Sequence, residues 1–474
     1  MKASFLVLLF VSLVSFVLVK ADGLEIVPGA TWTVPNTGNH LQAHGGGILK
    51  VDDTFYIVGE NKTAKPGDNL FQTVACYKSK DLVQWEFVND ILKATTEGNS
   101  DLSPEGIIER PKIIYNEKTN KYVMWMHVDK PGYGYARAGV AWSDSVCGDY
   151  TYVASYRPLD KYVSRDLTAW VDDDGTGYLF GEDRPTGLVI FKLSDDFLTI
   201  DSEVYNFNEH IESPAILKDD NGVYYVLGSQ LTGWAANDNY YSTAENIAGP
   251  WSNLTLFTPA GSKTYQSQSS YVQRVGKTFV YMGDRWSPGN RAGLGASTYI
   301  WLPLELNTET RTLNLTWYDS WSIDPRTGDL SFPSHKVYEA ETAELENGAT
   351  AVQADGFYQK GSGVVDLGGP ENGKLTIEGI TKSVKKGLTS ILIRYKNDQN
   401  VTAYGKLKVG NQKPVRVAFN PTHPQDPWNS PTVNISVIHG FKFPDRVQSL
   451  TFEGLESVNV NNTADVDSFL INVW

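Results

Sequence analysis

Apolar residues in this chain fall in short runs separated by polar turn residues. Between about residues 40 and 330 they include Gly47-Ile-Leu-Lys-Val51, Thr54-Phe-Tyr-Ile-Val58, Tyr122-Val-Met-Trp-Met126, Tyr178-Leu-Phe180, Val223-Tyr-Tyr-Val-Leu227 and Thr278-Phe-Val-Tyr-Met282. The breaks fall at Asp52-Asp53, Asn116 to Asn120, Asp172 to Gly175 and Asp219 to Gly222. Runs of this kind, bounded by Gly, Asn and Asp, predict β-strands joined by tight turns. No long stretch carries the 3.6-residue period of an amphipathic helix.

A degenerate repeat runs through the same region. Strands close in Ser-Asp or Lys-Asp turns at Ser79-Lys-Asp-Leu82, Ser143-Asp-Ser145 and Ser194-Asp-Asp-Phe197, and Gly249-Pro-Trp251 echoes Gly148-Asp-Tyr150. The spacing of about 50–60 residues is that of one four-stranded propeller blade, and about 290 residues at that period gives five blades. After Ser331-Phe-Pro-Ser334 the strands lengthen and alternate more regularly, with glycine-rich connections at Gly361-Ser-Gly363 and Gly368-Gly-Pro370. The remaining stretch of about 140 residues has the size and pattern of a β-sandwich. The expectation is an all-β chain: a signal peptide over 1–21, a five-bladed β-propeller over 22–335, and a β-sandwich of jelly-roll type over 336–474.

The first residues change the compartment. Lys2, the apolar stretch Phe5 to Val19 and the small Ala21 read as a cleaved secretory signal, with a Golgi signal-anchor as the competitor. After cleavage no stable membrane span is expected. Sequons at Asn61, Asn253, Asn314, Asn400, Asn434 and Asn461 agree with secretion. The 2 cysteines, Cys76 and Cys147, are expected to pair in an oxidising compartment. A formal charge of −14 and no cluster of Lys or Arg argue against a nucleic-acid partner. Aromatics make up 12% of the chain, with 13 Trp and 25 Tyr, which suits either sugar stacking or a packed β-core.

Three carboxylates share one context. Glu109 in Ile108-Glu-Arg-Pro-Lys112, Asp166 in Ser164-Arg-Asp166 and Glu212 in Ile211-Glu-Ser-Pro214 each precede a short apolar run that ends in a turn. One such residue alone reads as a turn cap or an arginine partner. Strands set radially about an axis would bring all three together, and convergent carboxylates are what glycosidic-bond hydrolysis needs.

Together with Tyr122-Val-Met-Trp-Met-His127, Asp172-Asp-Asp-Gly175, Gly249-Pro-Trp251 and Gly283-Asp-Arg-Trp286, these motifs resemble glycoside hydrolase family 43, and within it the exo-β-1,3-galactanase branch, over roughly residues 25 to 330. The resemblance implies a five-bladed propeller and an inverting mechanism, in which acid and base stand roughly 6.5–9.5 Å apart around a water. It implies Glu212 as the general acid and Asp166 as the carboxylate that raises its pKa and orients it. Most members carry a catalytic Asp near the start of the first blade, whereas the matching stretch here is Leu41-Gln-Ala-His-Gly-Gly-Gly47. The branch instead places a glutamine that matches Gln268, which acts through an imidic-acid tautomer or by positioning water. The alternative base is Glu109, otherwise a sugar contact.

Glu60, Tyr133, Trp234 and Arg285 are the further substrate-binding residues expected. For Glu60 a salt bridge, for Trp234 blade packing and for Arg285 a turn role are the competing readings. His44 and His127 read as core histidines outside the chemistry. The ends of the second unit, Tyr338-Glu-Ala-Glu341 and Ala464-Asp-Val-Asp467, resemble carbohydrate-binding module family 35, which implies a structural calcium held by Glu339, Glu341 and Asp467. No cofactor is expected for catalysis.

The leading expectation is a secreted, monomeric exo-β-1,3-galactosidase acting on the β-1,3-galactan backbone of arabinogalactan-proteins. An α-L-arabinofuranosidase or β-xylosidase of the same family is the enzymatic alternative. A catalytically silent galactan-binding protein is the third reading.

Overall fold

Val123, Met124, Trp125 and Met126 are consecutive and all fully buried. A strand shows this pattern only when both of its faces are covered, as when small sheets stack face to face. The computed structural model describes residues 23–63, 69–98, 100–287, 293–353, 361–368, 371–380, 388–422, 434–443, 448–455 and 464–473. The expected signal peptide and the sequon at Asn461 lie outside these residues. Among the described residues no helix is long and apolar enough to cross a membrane.

Five four-stranded antiparallel sheets follow one another along the chain, each in sequential strand order. Their innermost strands are His44–Val51, Ile107–Asn116, Leu167–Val171, Glu212–Lys218 and Gln268–Val275. Each lies against the innermost strand of the next sheet, and the fifth lies against the first, so the ring is closed. This is the five-bladed propeller expected. Apolar layers fill the gaps between blades: Cys76 and Val74 with Met124 and Met126, Trp125 with Leu179 and Phe191, Phe180 and Ile190 with Ile216 and Val226. The disulfide Cys76–Cys147 forms as expected and ties the first blade to the second across 71 positions.

The later part of the chain forms two further sheets. Asn434–Lys442, Leu388–Lys396, Asp465–Val473, Ser362–Val365 and Thr350–Gln353 are neighbours in one, with Ser334–Glu339 paired to Asp465–Val473. Glu344–Glu346, Lys374–Ile380, Gln448–Leu455, Ala403–Val409 and Val415–Phe419 make the other. Ile391, Ile393, Phe469 and Ile471 from the first sheet meet Leu375, Leu407, Val417 and Phe452 from the second in a single core. The segment Thr31–Trp32 adds to the first of these sheets, parallel to Ser436–Val437. Trp32 then packs edge-on against Trp301 of the fifth blade, with ring centroids 4.9 Å apart. Glu25, fully buried, accepts from Asn472 at 2.9 Å and pairs with His335 at 2.7 Å, while its backbone N–H donates to Ser390 at 2.9 Å. Residues before the first blade thus tie the propeller to the sandwich.

Candidate active site

Four of the five innermost strands carry a bulge at the same end. The register of each inner hairpin shifts by one between His44 and Gly47, Glu109 and Lys112, Glu212 and Ala215, and Ser269 and Tyr271. A bulge adds a residue to one strand and re-aims the side chain beside it. The cross-strand pairs at that level are His44 with Glu60, Glu109 with His127, Glu212 with Ser229, and Gln268 with Asp284. In the third blade the Glu182 N–H donates to the Asp166 carbonyl at 2.9 Å, which puts Asp166 at the equivalent place. His44, Glu109, Asp166, Glu212 and Gln268 are therefore the same position in five successive blades.

The cavity at this end has a volume of about 190 Å³ and is lined by Glu60, Glu109, Arg110, His127, Tyr133, Arg165, Asp166, Arg184, Glu212, Gly233, Trp234, Gln268 and Trp286. Seven of the eight catalytic and sugar-contact residues expected from the sequence meet here. Arg285 does not line this cavity. Successive residues of a strand face opposite sides: Asp284 turns toward His44, at 3.2 Å, while Arg285 donates to the Tyr265 carbonyl at 2.9 Å and lies over the Trp317 ring. Its role is structural, and the cavity's arginines are Arg110, Arg165 and Arg184.

Glu212 is 8% exposed. Burial, reinforced by the negative charges of Asp166 and Glu182, pushes its carboxyl up to about 8. Arg184 donates to one Glu212 oxygen at 3.1 Å and pairs with Glu182 at 3.2 Å, so one guanidinium serves two buried carboxyls. Glu182 is also raised by burial, to about 7. Glu212 is thus a protonated acid at neutral pH.

The other cavity carboxylates each face a cation. Asp166 accepts from Arg110 at 2.9 Å. Glu109 accepts from the Tyr133 hydroxyl at 2.9 Å and faces His127 Nδ1 at 3.2 Å. Burial alone would raise Glu109, but the hydrogen bond from His127 and the charges of Lys62 and His127 outweigh it and hold the group at about 2. His127 presents its other nitrogen to Asp129 at 3.0 Å, and the two carboxylates overcome its burial to lift it to about 9. This corrects the core-histidine reading: His127 is an imidazolium that holds Glu109 ionised. His44, by contrast, is fully buried, stacks on Tyr299 with centroids 4.9 Å apart, and does not line the cavity. Glu60 lines the cavity and pairs with Lys62 at 2.6 Å, the salt bridge of its competing reading.

Gln268, 8% exposed, touches the acid directly, its amide nitrogen donating to Glu212 at 3.2 Å and to Ser229 at 3.0 Å. Its carbonyl oxygen accepts from Arg110 at 2.5 Å and from the Trp286 indole at 2.8 Å. Trp234 meets Trp286 edge-on at 5.0 Å, and both rings border the cavity.

Among the described residues, Glu109, His127 and Asp166 are the group of three whose ligand atoms lie within 4.8 Å of one another. Both His127 nitrogens face carboxylates and Asp166 faces Arg110, an ion-paired set with no imidazole lone pair for a metal. Glu339, Glu341 and Asp467 do not form such a group.

A protonated carboxyl, carboxylates paired to cations, stacking rings and room for one small ring make a site for glycoside hydrolysis. The family model for glycosyl hydrolases family 43 matches residues 43–296. The exo-β-1,3-galactanase of Phanerochaete chrysosporium, solved with galactose, is 33% identical over 94% of this chain and 100% of that one, with a TM-score of 0.63. The exo-β-1,3-galactanase of Clostridium thermocellum is 27% identical over 87% of this chain and 100% of that one, with a TM-score of 0.61. No curated protein matches the chain in sequence. By the family match, the shared propeller and the placement of its acid, this chain belongs to glycosyl hydrolases family 43.

Proposed function

We propose that this protein is a secreted exo-β-1,3-galactanase that releases galactose from the non-reducing end of β-1,3-galactan with inversion of configuration. The observation that carries the reading is Glu212, a carboxyl raised to about 8 in a one-sugar cavity. At about 190 Å³ the cavity is smaller than the roughly 300–1,000 Å³ of pockets for drug-sized ligands, which suits one terminal hexose. The similar Phanerochaete enzyme has been solved with β-1,3-galactotriose and with galactose.

In this mechanism the terminal galactose packs on Trp234 and Trp286, with Glu60, Glu109 and Tyr133 within reach of its hydroxyls. Glu212 gives its proton to the glycosidic oxygen as the bond to the anomeric carbon breaks. Water adds to that carbon from the opposite face and yields the inverted sugar; its spare proton leaves to solvent on that face, and the acid is reprotonated from solvent. The chemistry needs no cofactor.

The stretch Phe5 to Val19 supports export, and Asn253, Asn314 and Asn400 are exposed as glycan sites would be. Arabinogalactan-proteins are the natural substrate under this reading, the enzyme acts as a monomer, and the sandwich binds galactan. A calcium at the sandwich ends draws support from a buried Glu341 oxygen with no hydrogen-bond partner. The test is incubation with β-1,3-galactotriose, with free galactose as the expected product. Release of arabinose or xylose from their aryl glycosides instead would move the activity to another branch. One observation favours a silent binder: Glu60, Glu109 and Asp166 each face a cation. Binding of galactotriose without turnover would establish that reading.

A further inference from the structure

Gln268 makes four hydrogen bonds, as many as a primary amide offers. The partners are not interchangeable. A guanidinium and an indole N–H are donors only, so the oxygen must face Arg110 and Trp286 and the NH₂ must face Glu212 and Ser229. A flipped amide would point its N–H groups at two donors. An imidic-acid tautomer would point its O–H at the same two. In the orientation that remains, the nitrogen has no lone pair with which to take a proton from water.

The lock is built into the backbone. Arg110 sits in the second-blade bulge with φ +55°, a conformation that costs a non-glycine residue strain. Its N–H donates to Glu60 at 2.8 Å, and its carbonyl lies 3.4 Å from Lys112 Nζ, which also donates to the Gly45 carbonyl at 2.6 Å. Lys112 is 1% exposed and spans the first and second blades. These contacts aim the guanidinium at both Gln268 and Asp166.

We infer that Arg110 and Trp286 are positioning residues that lock Gln268 as a hydrogen-bond donor to Glu212, so that Gln268 serves the acid and does not act as the base. The inference rests on the galactanase reading for its assay. Its chemical content is specific. When Glu212 gives up its proton, the carboxylate that forms receives the Gln268 N–H on one oxygen and Arg184 on the other. Both contacts strengthen as the charge develops, which is where a catalytic hydrogen bond is most effective.

The experiment compares Trp286→Phe and Arg110→Lys, alone and combined with Gln268→Ala, for kcat and KM on β-1,3-galactotriose. Trp286→Phe removes the indole donor and keeps a ring. Arg110→Lys keeps the charge and removes the fork. Each single variant should lose about tenfold or more in kcat; in the Gln268→Ala background Trp286→Phe should cost less than about threefold, since its amide partner is gone, while Arg110→Lys keeps only the loss that comes through Asp166. Gln268→Glu should be no more active than Gln268→Ala, because a carboxylate has no N–H for Glu212. The high-pH limb of kcat should move upward in Gln268→Ala and Trp286→Phe as the acid loses a donor. Multiplicative losses, or Gln268→Glu near wild-type kcat, would overturn the lock. If wild type releases no galactose, the functional reading fails instead. The lock is then judged on the Glu212 titration followed by carbon NMR, where an unchanged pKa in Gln268→Ala would refute it.

Discussion

Glu212→Gln separates the proton of the acid from its shape. The carboxyl is raised from 4.5 to about 8 by burial and by Asp166 and Glu182. Folding therefore takes up a proton between those values, so stability falls as pH rises through that window and is lowest above it. At about 1.4 kcal/mol per unit, the shift corresponds to at most about 5 kcal/mol lost between pH 4 and pH 9. Relaxation of Arg184 and entry of water will reduce it. Glutamine resembles the protonated acid in size and neutrality and carries no such penalty. The variant should match wild type in melting temperature near pH 4 and exceed it near pH 9, by a difference measurable in parallel thermal scans. Its turnover on β-1,3-galactotriose should fall by about 10²–10⁴, the usual worth of a general acid, with KM nearly unchanged. In wild type, activity should decline above about pH 8 as the acid ionises. Coincident melting curves at pH 9 would show that Glu212 is not held protonated. Turnover above a tenth of wild type would remove it from the acid role.

Other expectations follow from particular contacts. The released sugar should have inverted configuration by proton NMR at early times, and retention would end the scheme of a water attacking opposite the acid. Glu109→Gln removes the anion that His127 and Tyr133 hold; kcat/KM should fall, and a loss in kcat larger than that of Gln268→Ala would make Glu109 the base. Replacing Cys76 and Cys147 by Ala opens a closure of 71 positions and should cost about 4 kcal/mol in stability while leaving kcat intact in the folded enzyme. Glu25→Ala leaves His335 and Asn472 without their shared acceptor and should cost about 3 kcal/mol by chemical denaturation. A change within error would mean that the buried pair contributes little.

The propeller was legible because its signals are local: turn residues at regular spacing and runs too short for helices. The carboxylates were legible because each lies at or beside the start of an innermost strand. What escaped depends on register. Lys121 pairs with Asn116 across the second-blade turn, and counted straight along the hairpin that register would set Arg110 opposite His127. The bulge between Glu109 and Lys112 moves Glu109 there instead and frees Arg110 to reach across to the third and fifth blades. No local signal marks that bulge apart from Pro111, which removes a ladder donor within the motif. Arg285 was misplaced for a similar reason: it neighbours Asp284 on the strand Thr278–Arg285, and successive residues of a strand point oppositely. Arg184 and Glu182 were not read, because the contact that gives them a role, Arg184 to Glu212, joins separate blades.

Thr31 and Trp32 are strand neighbours of Ser436 and Val437, so these residues find their partners far later in the chain. At about 5–20 residues per second, the roughly 400 residues between them take on the order of 20–80 s to synthesise. The fifth blade is complete at Leu315, before any of the sheet that Thr31 joins has been made. During that interval the segment is held to the ring by bonds such as the Gly29 N–H to the Tyr299 carbonyl at 2.7 Å, while the side of Thr31–Trp32 that faces Ser436–Val437 stays an open edge of the kind that recruits wrong partners. Completion of that sheet thus waits on the sandwich, and interruption of synthesis after the propeller leaves Thr31–Trp32 with no strand to join.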